Sequence, residues 1–301
     1  MKGKQAEWDV IIIGGGPAGL SAALILARCR RKVMVLDSQD YRNAASSGIH
    51  ALPGFDGIKP AVYLKQLQKD VMKYDVKIQY AKATRVIQGP QFFEIEDALM
   101  KKYTASKILL ATGVRDILPS IPEIKKFYGS SVLHCPYCDG YEQKGKIVGV
   151  IGAGKKGVNY AYALTSWSDR VILFYEGKKL NGEYQQLLDN NNITCFREKI
   201  IALKGKGKLL QAIILENNQE VKCDVLFFDS HKRLRSDIPV NLKCKLTPKG
   251  VVCTNKKQET SIRGIFSAGD STVDVMMVSE ACAEGIAAGM SIHKQLLSEA
   301  M

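Results

Sequence analysis

The chain has 301 residues, with 43 Lys and Arg against 30 Asp and Glu for a formal net charge of +13, and 46% of its residues are hydrophobic. Such a length can bury two moderate cores, and no apolar run approaches the ~20 residues that a spanning helix needs, which argues against a helical membrane protein. The lysines are scattered along the chain rather than massed on one periodic face, so the basic balance does not point to nucleic acid.

The N-terminal stretch from Met1 to Trp8 is short and polar and leads straight into Val10–Ile13. It has no room for the apolar region of a signal peptide, so a cytoplasmic setting is expected. From Asp9 to Asp37 the chain reads strand, tight turn, helix, strand. The turn is Gly14-Gly15-Gly16-Pro17-Ala18-Gly19, and the helix is the small-residue run Leu20 to Ala27. Gly14 permits the turn, Gly16 lets backbone amides approach a pyrophosphate, and Gly19 lets the helix pack closely on the strand. Asp37 closes the second strand at the spacing where a carboxylate accepts hydrogen bonds from an adenosine ribose.

Ile108-Leu109-Leu110-Ala111-Thr112-Gly113 reads as a strand that ends in a small-residue turn. Beyond it lie Cys135 and Cys138, the one close pair among eight cysteines; Cys29, Cys195, Cys223, Cys244, Cys253 and Cys282 stand apart. That is no secreted disulfide framework. In a reducing compartment a lone Cys-x-x-Cys is half a zinc site or a redox couple. Zinc would require about two further ligands, and neither a second Cys-x-x-Cys nor a His pair at ligand spacing exists, although His134 is adjacent, so no metal is expected. A redox couple needs a thiolate and a nearby proton donor, and Asp139, directly after the pair, is the candidate general acid and base.

A second nucleotide unit begins at Lys146. Ile147–Ile151 forms an apolar strand, Gly152-Ala153-Gly154-Lys155-Lys156-Gly157 the turn, a helix-like run continues to Trp167, and Val171–Phe174 is the next strand. Gly14 to Asp37 and Gly152 to Tyr175 have the same spacing, which implies two nucleotides, or one lost. The runs Lys204–Lys208 and Glu216–Glu220 read as solvated hairpin turns. Near the C-terminus, Ile265-Phe266-Ser267-Ala268-Gly269-Asp270 is another strand and turn. Asp270 stands where it can bind ribityl or ribose hydroxyls, and the helix pattern Val275 to Leu297 aims its N-terminus, near Met276 and Met277, at a flavin.

The order of these motifs resembles that of low-molecular-weight thioredoxin reductases over nearly the whole chain. It comprises Gly14-x-Gly16-x-x-Gly19, Ala111-Thr112-Gly113, Cys135-Pro136-Tyr137-Cys138-Asp139-Gly140, the nested Gly152 motif and Ala268-Gly269-Asp270. The resemblance implies an α/β fold of two Rossmann-like domains, the second inserted into the first. The FAD domain would run over 1–115 and 247–301, and the NAD(P)H-binding-like domain carrying the cysteines over 116–246. It also implies FAD, NAD(P)H, a homodimer, and a thioredoxin-like protein or a small-molecule disulfide or dithiol as partner. Cys138 would face the flavin and Cys135 would be the interchange thiol. Cys-Pro-Tyr-Cys is similar to glutaredoxins too, but there the motif follows the first strand of a small fold, whereas here it lies between two nucleotide units.

Three departures from the family bear on function. Its His-Arg-Arg, whose arginines clasp the NADPH 2′-phosphate, is replaced by Tyr175-Glu176-Gly177. Three outcomes stay open: Glu176 favours NADH, Lys178 and Lys179 rescue NADPH, or neither coenzyme binds well and the inserted unit is mainly a scaffold for the cysteines. The Gly-Gly-Gln segment is absent; the chain reads Tyr41-Arg42-Asn43-Ala44, then His50, Pro53, Gly54 and Gly57. Arg42 and Asn43 are candidates for contact with the flavin or its phosphates, and His50 reads as a packed loop histidine. Arg-Gln-Ala before the last helix is replaced by Met276-Met277-Val278. The last two features resemble the divergent branch that includes gliotoxin-type dithiol oxidases. That branch commonly carries His after the second cysteine, where this chain has Asp139. The sequence therefore leaves open a disulfide reductase, a dithiol oxidase that returns electrons to oxygen, a relative using another donor such as ferredoxin, and a flavin-bearing sensor without turnover.

Overall fold

The computed structural model describes residues 6–177, 179–272 and 275–301. Lys178 and residues 1–5 of the polar N-terminal segment lie outside them. β1 (Trp8–Ile13) leads through the glycine turn into α1 (Pro17–Arg28) and β2 (Val33–Asp37). There follow α2 (Pro60–Met72), β3 (Lys77–Tyr80), β4 (Ala83–Gln88), β5 (Phe93–Asp97) and β6 (Lys102–Leu110). β7 (Val114–Ile117) carries the chain into the inserted part. That part runs through α3 (Ile124–Phe127), β8 (Val132–Leu133), α4 (Pro136–Asp139), β9 (Ile147–Gly152), α5 (Gly154–Leu164), β10 (Arg170–Tyr175), α6 (Gly182–Asn190) and β11 (Thr194–Phe196). It continues with β12 (Ile200–Lys206), β13 (Leu209–Leu215), β14 (Glu220–Lys222) and β15 (Val225–Phe228). β16 (His231–Leu234) carries the chain back to α7 (Ile238–Asn241), β17 (Ile265–Ser267) and α8 (Val278–Ser298).

The chain divides into two compact units: residues 1–44, 58–115 and 232–301 in one, residues 45–57 and 116–231 in the other. The return crossing thus precedes the expected 246/247. The cause is apolar: Ile238 of α7 is buried in the first unit's core with Ile11, Ile108 and Val86. Residues 45–57 likewise leave the first unit, inside which the sequence placed them.

In the first unit β3, β2, β1 and β6 pair in parallel in that order, β17 joins β6 in parallel, and β5 and β4 continue antiparallel. Val10–Ile13 of β1 are apolar and buried because both faces of the strand are covered there. Val10 and Ile12 pack toward α1 and α8, and Ile11 and Ile13 toward the side chains of β4, β5 and β6. In the second unit β11, β10, β9, β15 and β8 form a parallel sheet, and β12, β13 and β14 an antiparallel meander. The runs read as solvated turns supply its two hairpin connections. Both sheets are the α/β, Rossmann-like architecture that the nested motifs imply. Among the described residues no helix is long and apolar enough to cross a membrane.

α1 and α8 meet through small residues. A Cβ on Gly285 would stand 2.1 Å from the Ala18 carbonyl oxygen, and one on Gly289 would stand 2.4 Å from Ile25 Cγ2. The backbones are therefore closer than any side chain allows. Gly285→Ala is expected to cost roughly 1–3 kcal/mol by overpacking, read as a lower urea midpoint. Gly182→Ala, at a site with nothing within 4 Å, is expected to leave the midpoint in place.

Candidate active site

The first glycine turn is shaped by backbone contact. Gly14 has φ +114°, and a Cβ there would stand 2.2 Å from the Ala111 carbonyl oxygen; one on Gly19 would stand 1.9 Å from the Gly14 oxygen. This brings Gly14, Ala111, Thr112 and Gly113 together at the ends of β1 and β6. Gly16, by contrast, faces open space. It is the N-cap of α1 without a side-chain capping bond, and Pro17 occupies the first helical turn. The helix thus presents uncapped amides beside Ala18 and Gly19 to whatever approaches Gly16. Thr112 Oγ1 is buried without a hydrogen-bond partner, so the turn carries a polar atom for a ligand to satisfy.

Asp37 is 2% exposed and lies beneath the loop, where a Cβ on Gly15 would stand 2.5 Å from its carboxylate. Its Oδ1 accepts from Gln39 N at 2.9 Å and its Oδ2 from the Tyr41 hydroxyl. Burial, then the bond to Asp37, pushes the Tyr41 phenol far above its ordinary range. The expected ribose acceptor is thus already oriented by its own loop. Asp270 is held as well: Arg42 Nη1 stands 3.0 Å from Asp270 Oδ2 and 3.1 Å from Met276 Sδ. Asn43 is half-buried in the short turn that begins at Arg42. α8 starts at Val278 with Met277 as an extended N-cap lacking a side-chain bond, three residues later than the expected Val275.

Glu284 was not singled out by the sequence reading. It is buried on α8, and its Oε2 accepts from Gly269 N at 2.7 Å and Thr272 Oγ1 at 2.6 Å, which fixes the turn carrying Asp270. The available signal was a carboxylate between Ala281, Gly285 and Ala288, on a helix stripe that is otherwise small and apolar.

The second unit repeats the glycine geometry. A Cβ on Gly152 would stand 2.5 Å from Gly157 Cα, whereas Gly154, at φ +55°, faces open space. α5 has Ala153 as an uncapped N-cap. At the end of β10, Glu176 N donates to the Gly152 oxygen at 3.0 Å and leaves its side chain exposed. Tyr175 folds beneath this turn, and its hydroxyl donates to Lys179 O at 3.1 Å. A Cβ on Gly177 would stand 2.3 Å from the Tyr175 ring, so no arginine can occupy that position in this conformation.

Cys135 and Cys138 form a disulfide with Cα atoms 5.3 Å apart. Cys135 is the N-cap of α4 and Pro136 starts its single turn. Asp139 N donates to Cys135 O at 3.1 Å, and Gly140 N to Pro136 O at 2.7 Å. A Cβ on Gly140 would stand 2.8 Å from the Trp167 indole, which explains glycine after the acid. Buried Gln143 donates to the Asp139 carbonyl at 2.5 Å. His134, before the pair, stands 3.9 Å from Asp116 Oδ1 and its carbonyl accepts from Tyr160 at 3.0 Å. Burial pushes the Asp139 carboxyl up to about 6; the charge of Glu142 acts in the same direction and His50 opposes both.

The other six cysteines are free thiols. Burial pushes Cys223 up to about 12 and also raises Cys195 and Cys244, which makes these three thiols less reactive. Among the described residues no group of three or more His, Cys, Asp or Glu side chains could hold a metal ion.

The sequence profile of the pyridine nucleotide-disulphide oxidoreductase family matches residues 8–285. Thioredoxin reductase tcpT of Claviceps purpurea is 34% identical over 308 residues, covering 97% of this chain and 95% of that protein. Thioredoxin reductase sirT of Leptosphaeria maculans is 29% identical over 316 residues, covering 98% and 96%. Among solved structures, the oxidoreductase from Agrobacterium tumefaciens superposes with a TM-score of 0.90 at 30% identity, covering 97% of this chain and 99% of that one.

Asp139 rises from an ordinary 3.8 to about 6 on folding, so the native state holds a proton that the unfolded chain releases. The resulting stability is present below the unfolded value and lost as pH rises through about 6. Asp139→Asn is expected to melt higher than the wild type at about pH 8, by up to roughly 3 kcal/mol, and no higher near pH 4. Thermal melts of the oxidised proteins at both pH values check this.

Proposed function

Because the chain belongs to the pyridine nucleotide-disulphide oxidoreductase family and is thioredoxin reductase-like over its length, we propose that it is an FAD enzyme passing electrons from NADH to a disulfide. The disulfide is best supplied by a thioredoxin-like protein. One observation carries the reading: the Cys135–Cys138 disulfide on its single helical turn, followed at once by a carboxyl whose proton affinity is raised to near neutrality.

The first unit fits FAD. Gly14, Gly16, Pro17, Ala18 and Gly19 would cradle the pyrophosphate, Asp37 the ribose, and Thr112 would give its orphaned hydroxyl to the ligand. Arg42, Asn43, Ala111, Gly113, Gly269, Asp270 and Met277 would line the remainder. The second unit fits a nicotinamide dinucleotide at Gly152, Gly154 and Gly157. FAD, when bound, supplies two electrons at a time to the disulfide.

The protein's own groups do the remainder. As two electrons enter the S–S bond it breaks, and the Asp139 carboxyl gives its proton to one of the two sulfurs. The Cys135 thiolate attacks a substrate disulfide, forming a mixed disulfide and releasing one substrate sulfur, which takes up a proton. Asp139, now ionised, removes the proton from Cys138. The Cys138 thiolate then attacks Cys135 Sγ, restores the Cys135–Cys138 bond and frees the second substrate thiol. A homodimer, implied by the resemblance, and a cytoplasmic setting belong to this reading.

The coenzyme choice rests on Glu176. Its exposed carboxylate at the end of β10 suits a ribose hydroxyl and repels a 2′-phosphate, and the buried Tyr175 ring blocks a guanidinium at Gly177. Lys179 is the cation described nearby. Glu176 also favours a second reading, in which electrons enter as a substrate dithiol and leave to oxygen, because a poor NADPH site removes the usual donor. In anaerobic stopped-flow, NADH is expected to bleach the flavin at least about tenfold faster than NADPH, with Glu176→Arg narrowing the ratio. Faster bleaching by NADPH would sink the coenzyme assignment. Bleaching by a dithiol and by neither nucleotide would replace the reductase reading with the oxidase one.

A further inference from the structure

Residues 45–57 belong to the unit that carries the redox pair, and they bring a histidine to it. The loop is closed by Gly57 N donating to Ile49 O at 2.8 Å, and by Ala51 N donating to Asp56 Oδ1 at 2.8 Å. Gly48 leaves room for the imidazole, since a Cβ there would stand 3.1 Å from His50 Nε2. His50 is three-quarters buried and sits between two carboxylates: Nδ1 is 3.7 Å from Asp56 Oδ1, and Nε2 is 3.6 Å from Glu142 Oε1. Glu142 lies in the short turn Tyr141–Gln143 that follows Asp139, and neighbouring Gln143 pins the Asp139 backbone.

We propose that His50 is a positioning residue for the redox pair: held between Asp56 and Glu142, its imidazole governs how readily Asp139 takes and gives its proton. The inference rests on Asp139 as the acid and base described above. As a cation, His50 neutralises Glu142 and attracts the Asp139 carboxylate; without that cation, the charge of Glu142 acts on Asp139 with no offset from the loop. Both influences on Asp139 have the required sign, since Glu142 raises its proton affinity and His50 lowers it. Two further ionisable groups stand close by: Lys146 Nζ donates to Gln143 Oε1 at 3.0 Å, and Tyr160, on which Asp139 acts, has a phenol that burial pushes far above its ordinary range, so Tyr160 stays neutral across the Asp139 titration. Because the charges of Glu142 and His50 both act on Asp139, the midpoint of the Asp139 titration depends on both neighbours. The loop thereby ties the proton delivered to the leaving sulfur to a segment that makes no part of the Cys-x-x-Cys turn itself.

The test uses the FAD-loaded enzyme, reduced anaerobically with dithionite and mixed with dithiobis(nitrobenzoate) in single turnover between about pH 5 and 8. Flavin absorbance and circular dichroism check that each variant is folded and loaded. The wild-type rate is expected to titrate with a midpoint near 6. His50→Gln is expected to move the midpoint up by roughly half a unit or more, Glu142→Gln to move it down by a similar amount, and His50→Lys, which keeps a cation, to hold it near wild type. If Asp139→Asn removes the titration while His50→Gln and Glu142→Gln leave the midpoint in place, the His50 proposal is overturned and the Asp139 reading stands. A titration that persists in Asp139→Asn removes both. Should His50→Gln not fold, His50→Lys and Glu142→Gln decide: a midpoint held by the first and lowered by the second supports the proposal, and any other pair of results overturns it.

Discussion

Four separate stretches of the first unit converge on Ala18 and the turn beside it, and they do so only because side chains are absent. Gly19 abuts the Gly14 carbonyl, Gly14 abuts Ala111, Gly269 would meet the Ala18 methyl at 2.9 Å, and Gly285 abuts the Ala18 carbonyl. This backbone-to-backbone seam fixes the ends of β1, β6 and β17 relative to the starts of α1 and α8. Strand ends and uncapped helix starts therefore gather in one place. The polar groups follow from it. Glu284 reaches the Gly269 amide because α8 lies this close, and Arg42 holds Asp270 and Met276 across the same turn. The second unit uses the same device at Gly152 and Gly157, where the start of α5 opens beside Gly154.

The redox turn depends on a different constraint, the cost of burying charge. A four-residue helix places Cys135 at its cap, Cys138 in its turn and Asp139 at its end, with Gly140 forced by the Trp167 ring. Desolvation makes the neutral carboxyl the stable form up to about pH 6, which is what the proposed acid and base role of Asp139 requires. The six other thiols sit apart, several of them made less acidic by burial.

Much of this was legible in the sequence because it is local. Both glycine turns, the strands that precede them, the acid at the end of β2 and the Cys-x-x-Cys turn each lie within thirty or so residues, where spacing translates directly into geometry. Long-range partners were not legible. His50 read as a packed loop histidine, since nothing in residues 45–57 indicates that they fold with a turn ninety residues further on. The crossing at 231/232 escaped for the same reason: the burial of Ile238 against Ile11 is decided by tertiary packing. Asp270 was read as a carboxylate placed for ribityl or ribose hydroxyls, and its pairing with Arg42 brings together positions 228 residues apart. The start of α8 was placed three residues early because apolar periodicity does not distinguish an extended Met277 from a helical one.

The account stands or falls on whether the Cys135–Cys138 disulfide takes electrons from the flavin. An anaerobic reductive titration of the FAD-loaded chain with dithionite, compared with the Cys135→Ser/Cys138→Ser double variant, measures this directly. The account predicts that the wild type takes up about two more electrons per chain than the variant before reduction is complete, the amount that opening one disulfide requires. Equal uptake by the two proteins would mean that the disulfide lies outside the electron path, and would contradict it.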